Sequence, residues 1–434
     1  MILTIIGGGL AGCEAAWQAA SRGVRVRLFE MRPLAGTPAH TSGRLAEVVC
    51  SNSFGSVGSD SAAGILKAEL SLCGSLILDC AHACSVPAGG ALAVDRAGFS
   101  ELVERRIEAH PNIEVVRTEI DAIPETGIIA TGPMTSPRMA AALRGVIGDG
   151  PGAHDPYLSF FDAVAPIVTR ESVNMDKAWL AGRYGRGNDY INCPMNEAEY
   201  AAFYGFLTRA EQAGGHGGAD SYFEGCMPIE VMAKRGVDTL RFGPMKPVGL
   251  TDPRTGRLPY AAVQLRQDDA EGRLFNIVGF QTGLKWGEQA KLIHMIPGLE
   301  EAEIVRFGVM HENIYVNAPR VLDQHLQLRA RPGVFLAGQL TGVEGYMEST
   351  AMGLAAGVNA ARTLLGLGCV TWPRPTAIGS LINYLMDAGP DGSKNFQPMN
   401  ANLGIFPPLD EKVKDKKLKA RLMYERAIAC VPPL

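Results

Sequence analysis

Residues 2–30 read ILTIIGGGLAGCEAAWQAASRGVRVRLFE, which predicts a strand, a glycine-rich turn, a helix and a second strand. The first strand, Ile2–Ile6, runs into the pattern Gly7-x-Gly9-x-x-Gly12, and the second strand, Val24–Phe29, ends in Glu30. In dinucleotide-binding βαβ units such glycines permit a tight turn, a close approach of the backbone to a pyrophosphate, and close helix–sheet packing. An acid about twenty residues further on binds the adenosine ribose. A glycine-rich turn without a ligand is the alternative.

The residues of this turn and the acid are therefore predicted to bind a cofactor: Gly7, Gly8, Gly9, Leu10, Ala11, Gly12 and Glu30. The helix that follows directs free N–H groups and the positive end of its dipole toward the phosphates. An acid rather than an arginine after the second strand favours FAD or NAD over NADP.

The composition is that of a globular chain of 434 residues, 47% of them hydrophobic, with a net charge of −4. This length allows two to three domains, or one large domain with an insertion. No apolar run reaches the roughly eighteen residues that a membrane span needs. Because the first strand begins at residue 2, cleavage of a signal peptide would remove part of the cofactor site, so the sequence predicts a cytoplasmic protein. The net charge argues against general nucleic-acid binding, but not against a local basic patch.

A second nucleotide-facing unit is predicted in GVFLAGQLTGVEGYMESTAMGLAAGVNAARTLLG (333–366). The strand Val334–Ala337 meets Gly338 and Gln339, and a small-residue helix begins at about Glu348 after a glycine-rich turn. We expect this helix to point its N-terminus at the flavin or its pyrophosphate. A βα unit without cofactor contact is the alternative. The segment GIIATGPMTS (127–136) reads as a further strand, at which two-lobed flavoproteins return to the nucleotide.

These units predict an α/β fold with a discontinuous Rossmann-like FAD-binding domain, residues 1–175 and 305–434. An α+β substrate domain, residues 176–304, is inserted between the two parts. The insertion contains the helical pattern MNEAEYAAFYGFLTRAEQ and the β-rich runs YAAVQLRQ and LFNIVGFQ. The glycine-rich segment 214–218 follows a helix rather than a strand, which indicates a flexible loop.

Nine cysteines without a secretion signal are expected to be reduced thiols. Cys73, Cys80 and Cys84 recur at helical spacing, which indicates core packing rather than a zinc site, and no metal is predicted. Cys50, in EVVCSNSFGS, and Cys226, in YFEGCMPIEVMAKRG, lie in small-residue turns where a thiol can be exposed and reactive. From the residues alone, an inert buried thiol is the alternative for each.

Blocks spread over nearly the whole chain resemble the folate- and FAD-dependent tRNA methyltransferases that form 5-methyluridine at position 54 in the T loop. The blocks are GGGLAGCEAA, VRLFEMRP, CSNSFGS, YFEGCMPIEVMAKRG, RFGPMKPVGL, YAAVQLRQD, NIVGFQTGLKWGEQ, GQLTGVEGYMESTAMGLAAG and FQPMNANLGIFPPL. The block around Cys226 and the last block are specific to that family. The first and the late glycine-rich blocks also resemble the larger sister family of glucose-inhibited-division (GidA) flavoproteins, which modify wobble uridines with a GTPase partner.

The resemblance implies methylation of C5 of the T-loop uridine, with methylenetetrahydrofolate as carbon donor, FAD as cofactor and NADH or NADPH as reductant. Because Cys226 lies in the family-specific block of the insertion, the region assigned to RNA, we expect its thiolate to add to C6 of uracil, whereas Cys50 lies in the flavin domain. Cys50 would act beside the flavin, as the base at C5 or as a thiol that guards the flavin-bound carbon. Because a second dinucleotide fingerprint is missing, NAD(P)H is expected to visit the same cleft as the folate.

Further cofactor contacts are implied in the late turn, at Gly338, Gln339, Glu344, Gly345 and Tyr346. Gln339 stands where flavoproteins in general often carry aspartate, as a feature of this family's own pattern. Tyr346 either stacks on the flavin or the pterin, or packs in the core.

tRNA is the implied partner, and its phosphates call for lysines and arginines. The candidates are Lys234, Arg235, Arg241 and Lys246, and the stretch 410–426, in which seven Lys/Arg against four Asp/Glu give a net charge of +3. A solvated surface helix is the alternative for that stretch. Two other classes of function stay open: a different flavoenzyme, either a GidA-type tRNA modifier or a small-molecule oxidoreductase, and a non-catalytic flavoprotein that binds tRNA.

Overall fold

The computed structural model describes residues 2–148, 157–213, 222, 227–387 and 396–434. The strands are β1 (Ile2–Ile6), β2 (Arg25–Glu30), β3 (Ser53–Ser56), β4 (Ser85–Val86), β5 (Ala91–Val94), β6 (Ile113–Arg117), β7 (Gly127–Ile129), β8 (Tyr157–Ala163), β9 (Ile167–Thr169), β10 (Trp179–Leu180), β11 (Tyr190–Met195), β12 (Ala261–Gln267), β13 (Leu274–Ile277), β14 (Ile304–Arg306), β15 (Met310–Val316) and β16 (Val334–Leu336).

The helices are α1 (Leu10–Ala20), α2 (Ala62–Leu72), α3 (Leu76–Ala83), α4 (Arg96–Glu108), α5 (Pro137–Ile147), α6 (Glu197–Leu207), α7 (Ile229–Lys234), α8 (Thr239–Phe242), α9 (Trp286–His294), α10 (Ala318–Val321), α11 (Tyr346–Leu364), α12 (Ala377–Asp387) and α13 (Lys416–Ala429). Short 3₁₀ turns occur at Arg183–Gly185 and Gly338–Thr341.

A five-stranded parallel sheet, in the order β16-β7-β1-β2-β6, forms the framework of the first domain. Residues from both ends of the chain build it, because Gly127 of β7 pairs with Thr4 on one side and with Val334 on the other. The carboxyl ends of β1, β7 and β16 therefore lie side by side, which is where ligands bind in open α/β sheets. The predicted Rossmann-like domain, assembled from two separate segments, is confirmed.

Helices α1 and α11 pack against each other through their small residues. A Cβ atom added at Gly357 of α11 would lie 2.6 Å from the carbonyl oxygen of Ala15, and one added at Gly353 would overlap that of Ala11. Such close packing is possible only where glycine faces backbone. It places the N-termini of the two helices next to each other at one edge of the sheet.

A second sheet, in the order β10-β11-β12-β13-β9-β14, is antiparallel throughout and has its own hydrophobic core. Helix α6 packs on it through the buried Tyr200 and Phe203, and begins with a capping box formed by Asn196 and Glu199. This region is the predicted α+β insertion, and its helical and β-rich segments form where the sequence patterns indicate.

The second sheet extends slightly beyond the predicted range 176–304, since it includes β9, which begins at Ile167, and β14, which ends at Arg306. The second core also includes Val168 and Val173. We therefore propose that the inserted domain runs from Ile167 to Arg306. The antiparallel pair β8–β15 lies just outside both ends of this range.

Candidate cofactor cleft and active site

The first turn is shaped by contacts between backbone atoms. Gly7 has a φ of +106°, and a Cβ atom there would overlap the carbonyl oxygen of Ala130 at the end of β7. A Cβ atom at Gly12 would overlap the carbonyl oxygen of Gly7. At Gly9, by contrast, no atom lies within 4 Å of an added Cβ. The structure therefore leaves open space at the glycine that the sequence assigns to the pyrophosphate.

Helix α1 begins directly after Gly9 and has no acidic residue in its first turn. Its first N–H groups lack intrahelical acceptors, as in any helix, and Gly9, Leu10 and Ala11 line the cleft in front of them. A bound pyrophosphate would supply the missing acceptors. This arrangement fits a dinucleotide.

Glu30 lines the same cleft, and protein donors surround its carboxylate. Oε2 accepts hydrogen bonds from the Gly8 N–H (2.9 Å) and from Nη2 of Arg32 (3.1 Å), and Oε1 accepts from the N–H and Nε of Arg32 (2.9 and 3.0 Å). Burial raises the pKa of Glu30, but the hydrogen bonds and charge of Arg32 bring it below its ordinary value. A ribose hydroxyl therefore reaches this carboxylate only when one bond to Arg32 gives way.

The late turn is held by side chains as well as by glycine. Gly338 has a φ of +75°, and a Cβ atom there would lie 2.8 Å from Cβ of Ala11 on α1. The side-chain amide of Gln339 donates to Glu344, and the N–H of Glu344 donates to the carbonyl of Met399 (2.9 Å). Helix α11 then begins at Tyr346, two residues before the predicted start at Glu348.

Both turns border one cleft with about 1,020 Å³ of space that opens to solvent. The described wall residues from the two turns, from the acid between them and from the loop after β7 include Gly7, Gly9, Leu10, Ala11, Glu30, Thr131, Pro133, Gly338, Gln339 and Tyr346. Four other residues predicted to bind the cofactor are neighbours of wall residues along the chain but do not line the cleft: Gly8, Gly12, Glu344 and Gly345.

Cys50 lies at the rim of this cleft, because the preceding residue, Val49, lines it. The N–H of Cys50 donates to the hydroxyl of Tyr346 (2.9 Å), and its Sγ lies 3.6 Å from the carbonyl oxygen of Ala163. The side chain is half-buried. The structure thus brings Cys50 and Tyr346, two residues predicted separately, into direct contact.

Two arginines hold the backbone that carries Cys50. Arg96 donates to the carbonyls of Val48 (2.8 Å) and Cys50 (3.5 Å), and Arg306 donates to the carbonyl of Val49 (3.1 Å). Arg96 also forms a salt bridge with Asp268 of the inserted domain (2.8 Å). Sequence reasoning missed both arginines, because they are far from Cys50 along the chain.

Cys226 lies outside the described residues, as do 214–221 and 223–225. The chain that follows it is anchored: the N–H of Ile229 donates to the carbonyl of Gln281 (2.8 Å). Glu230 accepts hydrogen bonds from the N–H of Gly283 and the hydroxyl of Thr282. Burial raises the pKa of Glu230 above its ordinary value.

The predicted basic residues occupy different environments. Lys234 and Arg235 are exposed at the end of α7, and Lys416 and Lys417 are exposed at the start of α13. Arg241 is already engaged, since it pairs with Asp238 and its guanidinium lies 3.7 Å from the ring centre of Tyr260. The stretch 410–426 thus contains the first part of α13.

Of the cysteines at helical spacing, Cys80 is buried and Cys73 and Cys84 are partly buried. Burial raises the pKa of Cys80 and Cys73 to about 12, as expected of packed thiols. The described ranges hold no group of three or more His, Cys, Asp or Glu side chains placed to bind a metal ion. None of the helices in those ranges combines the length and the apolar content of a bilayer span.

The fold and the cleft define a two-domain flavoprotein of the dinucleotide-binding class. The sequence profile of the family described as glucose inhibited division protein A matches residues 2–368. The chain is 56% identical to the methylenetetrahydrofolate--tRNA-(uracil-5-)-methyltransferase TrmFO of Moorella thermoacetica, over 98% of this chain and 96% of the relative. It is 54% identical to the protein of the same name from Anoxybacillus flavithermus, over 99% and 98%. This protein belongs to the glucose inhibited division protein A family, in its TrmFO branch.

A solved structure of Aquifex aeolicus GidA superposes with a TM-score of 0.69 at 18% sequence identity. The superposition covers 98% of this chain and 76% of the GidA chain. At this identity the likeness establishes the shared fold alone.

Proposed function

We propose that this protein is an FAD-dependent tRNA methyltransferase that transfers the one-carbon unit of methylenetetrahydrofolate to C5 of the T-loop uridine. The observation that carries the proposal is the bond between Tyr346 and Cys50, which joins a dinucleotide cleft to a reactive side chain. Relatives that are 52–56% identical over nearly their whole length carry the name of this activity. NADH or NADPH reduces the enzyme in each cycle.

The two turns and Glu30 would hold FAD, with the pyrophosphate at the N-terminus of α1 beside Gly9. Bound FAD supplies the redox chemistry that turns the transferred carbon into a methyl group. The protein supplies placement: Arg96 and Arg306 fix the carbonyls around Cys50, and Tyr346 fixes its N–H. Cys50 is thereby kept at the cofactor rim.

We assign the C6 nucleophile to Cys226. Its thiolate forms a bond to C6 of uracil, which makes C5 nucleophilic toward the one-carbon unit. After C5 gains its carbon, a base removes the C5 proton and the bond between the carbon and its carrier nitrogen breaks. The C6–sulfur bond then breaks to free the thiolate as the carbon takes up a hydride, which bound FAD would supply from NAD(P)H. Cys50 serves as that base or guards the carbon before transfer. The target base must leave its stack to reach these groups.

The reaction itself tests this function. The purified protein is mixed with methylenetetrahydrofolate, NADPH and an unmodified tRNA transcript, and the RNA is digested to nucleosides. We expect 5-methyluridine at the T-loop position, and none when folate or tRNA is omitted. A product at the wobble uridine would favour the GidA-type alternative, and NADPH oxidation without modified RNA would favour a small-molecule oxidoreductase.

A covalent trap separates the two cysteines. tRNA with 5-fluorouridine at the target lacks the removable C5 proton, so the adduct with the attacking thiol persists through denaturation. Wild type and Cys50→Ala are expected to form this complex, whereas Cys226→Ala is not. A complex that survives loss of Cys226 and disappears with loss of Cys50 reverses the assignment.

We further propose that tRNA lies across the exposed lysines of α13 and the end of α7, and that the enzyme acts in the cytoplasm, where its thiols stay reduced. Reversal of Lys416 and Lys417 to glutamate should weaken tRNA binding, with a shallower dependence on salt, and leave the flavin content unchanged. Unaltered affinity would show that α13 does not contact RNA.

A further inference from the structure

Trp286 differs from the other three tryptophans in its exposure. It is 62% exposed, whereas Trp179 and Trp372 are buried and Trp17 is partly buried. Its indole lies nearly parallel to the ring of Phe307, with 5.5 Å between ring centres and an angle of 13° between planes. One face of the indole is therefore covered by an aromatic ring, and much of the remaining surface is open to solvent. Large aromatic side chains usually bury most of the surface of their rings.

This aromatic pair is held rigidly. Trp286 is the first residue of α9, and Gln289, one turn later, is almost fully buried. The Gln289 side chain donates to the carbonyl of Gly308 (2.9 Å) and accepts from the N–H of Gly308 (2.8 Å). Because Gly308 directly follows Phe307, these two bonds fix both members of the pair relative to each other.

The pair also lies close to the reaction cleft. Phe307 directly follows Arg306, whose guanidinium binds the carbonyl of Val49, a residue of the cleft wall. Trp286 also lies two residues after Leu284, which forms an isolated antiparallel β-bridge with Gln212. Lys285, which precedes the indole, pairs with Glu211, and α7, bound to this segment through Glu230, ends in the exposed Lys234.

We propose that Trp286, backed by Phe307, is a stacking platform for an unpaired nucleobase of the RNA substrate at the rim of the cleft. The proposal rests on the proposed function, which requires a base to leave its stack. An open indole face gives a base the contacts that it loses on unstacking, whatever its identity. The exposed Lys234 at the end of α7 complements a phosphate. The platform acts in substrate binding and does not take part in the bond changes.

Three substitutions test this role: Trp286→Ala, Trp286→Leu and Trp286→Phe. Alanine removes the platform, leucine keeps an apolar cover over Phe307 without an aromatic face, and phenylalanine keeps a smaller face. We expect alanine and leucine to raise the Kd and the KM for unmodified tRNA about tenfold, and phenylalanine to restore most of the loss. Flavin content and tRNA-independent NADPH oxidation should not change, because Trp286 is a surface residue outside the described wall of the cleft.

The fluorescence of Trp286 gives an independent readout. The emission of wild type minus that of Trp286→Phe isolates this indole, and stacking on a base should quench it and protect it from acrylamide when tRNA binds. Wild-type Kd and KM in the alanine variant, or an indole that stays fully accessible with tRNA bound, overturn the proposal. If wild type binds tRNA and protects Trp286 but forms no 5-methyluridine, the proposed function fails while the platform stands.

Discussion

The two turns that border the cleft are held together by different means. In the first turn, Gly7 and Gly12 face backbone atoms so closely that a Cβ at either would overlap a carbonyl oxygen. In the late turn, side chains provide the contacts: Gln339 to Glu344, Tyr346 to the Cys50 N–H, and Glu348 to the Ala401 N–H. The first turn is shaped mainly by backbone contacts, with the Gly8 N–H donating to Glu30, whereas the late turn is connected through its side chains to distant parts of the chain.

This difference separates a turn that many flavoproteins share from a turn whose contacts are specific to one kind of protein. A turn fixed by backbone atoms offers the same N–H groups to any dinucleotide, which is why its pattern recurs across flavoproteins. A turn fixed by side chains can link the cofactor to one particular partner, and here that partner is the loop with Cys50. Substitutions in the first turn should therefore affect folding and flavin binding, and those in the late turn should affect the reaction.

The largest effect is expected from Gly12→Ala. The new methyl group overlaps the carbonyl oxygen of Gly7, so α1 must move away from the sheet. We expect a loss of stability of at least about 4 kcal/mol and of bound flavin, measured by denaturant unfolding and absorbance. Gly145→Ala in α5 is the matched control: nothing lies within 4 Å of its added Cβ, and helix propensity should stabilise it by about 1 kcal/mol. Equal stability of the two variants would contradict the backbone account.

Gly9→Val should abolish flavin binding and leave the fold intact. Gly9 has φ −76° and ψ −171°, which a valine adopts without strain, and the space beside it is open. The branched side chain would then occupy the position assigned to the pyrophosphate. A colourless protein with an unchanged unfolding transition is the expected result. A fully yellow Gly9→Val would place the pyrophosphate elsewhere.

The first unit should also respond to pH through Glu14 on α1. Burial raises the pKa of this carboxyl to about 7, although hydrogen bonds from Gln18, Ile77 and Ser75 lower it. Because the folded-state pKa lies above the unfolded value of 4.5, the stability contributed by Glu14 is present below about pH 4.5 and is lost as pH rises through about 7. The unfolding free energy of Glu14→Gln relative to wild type should therefore rise across this window. A constant difference would show that Glu14 titrates normally.

The smallest effect is expected from Tyr346→Phe, which removes the acceptor of the Cys50 N–H. A lost hydrogen bond of this kind costs about 1 kcal/mol. Flavin should stay bound, since the ring remains, while tRNA methylation slows several-fold. Tyr384→Phe removes a hydroxyl that donates to the carbonyl of Gln397, away from Cys50, and should methylate normally. Equal rates of tRNA methylation for the two variants would show that the bond between Tyr346 and Cys50 does not affect the reaction.

The elements around the first turn were predictable because their signals are local. β1 has the predicted bounds, β2 is displaced by one residue, and α11 begins two residues before its predicted start. Each of these depends on a strand pattern, a glycine spacing and a helix within some thirty residues. The two-segment domain could also be predicted, because both segments carry the same type of βα unit.

The surroundings of Cys50 could not be predicted from local patterns. Arg306 binds the Val49 carbonyl across 257 positions of sequence, and Tyr346 binds the Cys50 N–H across 296. The packing of the inserted domain against the first domain brings Arg306 to Val49, and the assembly of the first domain from two segments brings Tyr346 to Cys50. The contact of Arg32 was easier to predict, because Arg32 lies two residues after Glu30 in the block VRLFEMRP. Its bidentate hydrogen bonding to the Glu30 carboxylate depends, however, on the turn that follows β2.

The central claim is that one cleft joins folate, flavin and an RNA uridine, and the fate of the folate carbon tests it most directly. Methylenetetrahydrofolate with an isotopically labelled methylene carbon is supplied with NADPH and unmodified tRNA, and the nucleosides are analysed by mass spectrometry. We expect the label in the methyl group of 5-methyluridine from the T loop, in wild type and not in Gly9→Val. Unlabelled 5-methyluridine, or label in no nucleoside while NADPH is consumed, would contradict the account.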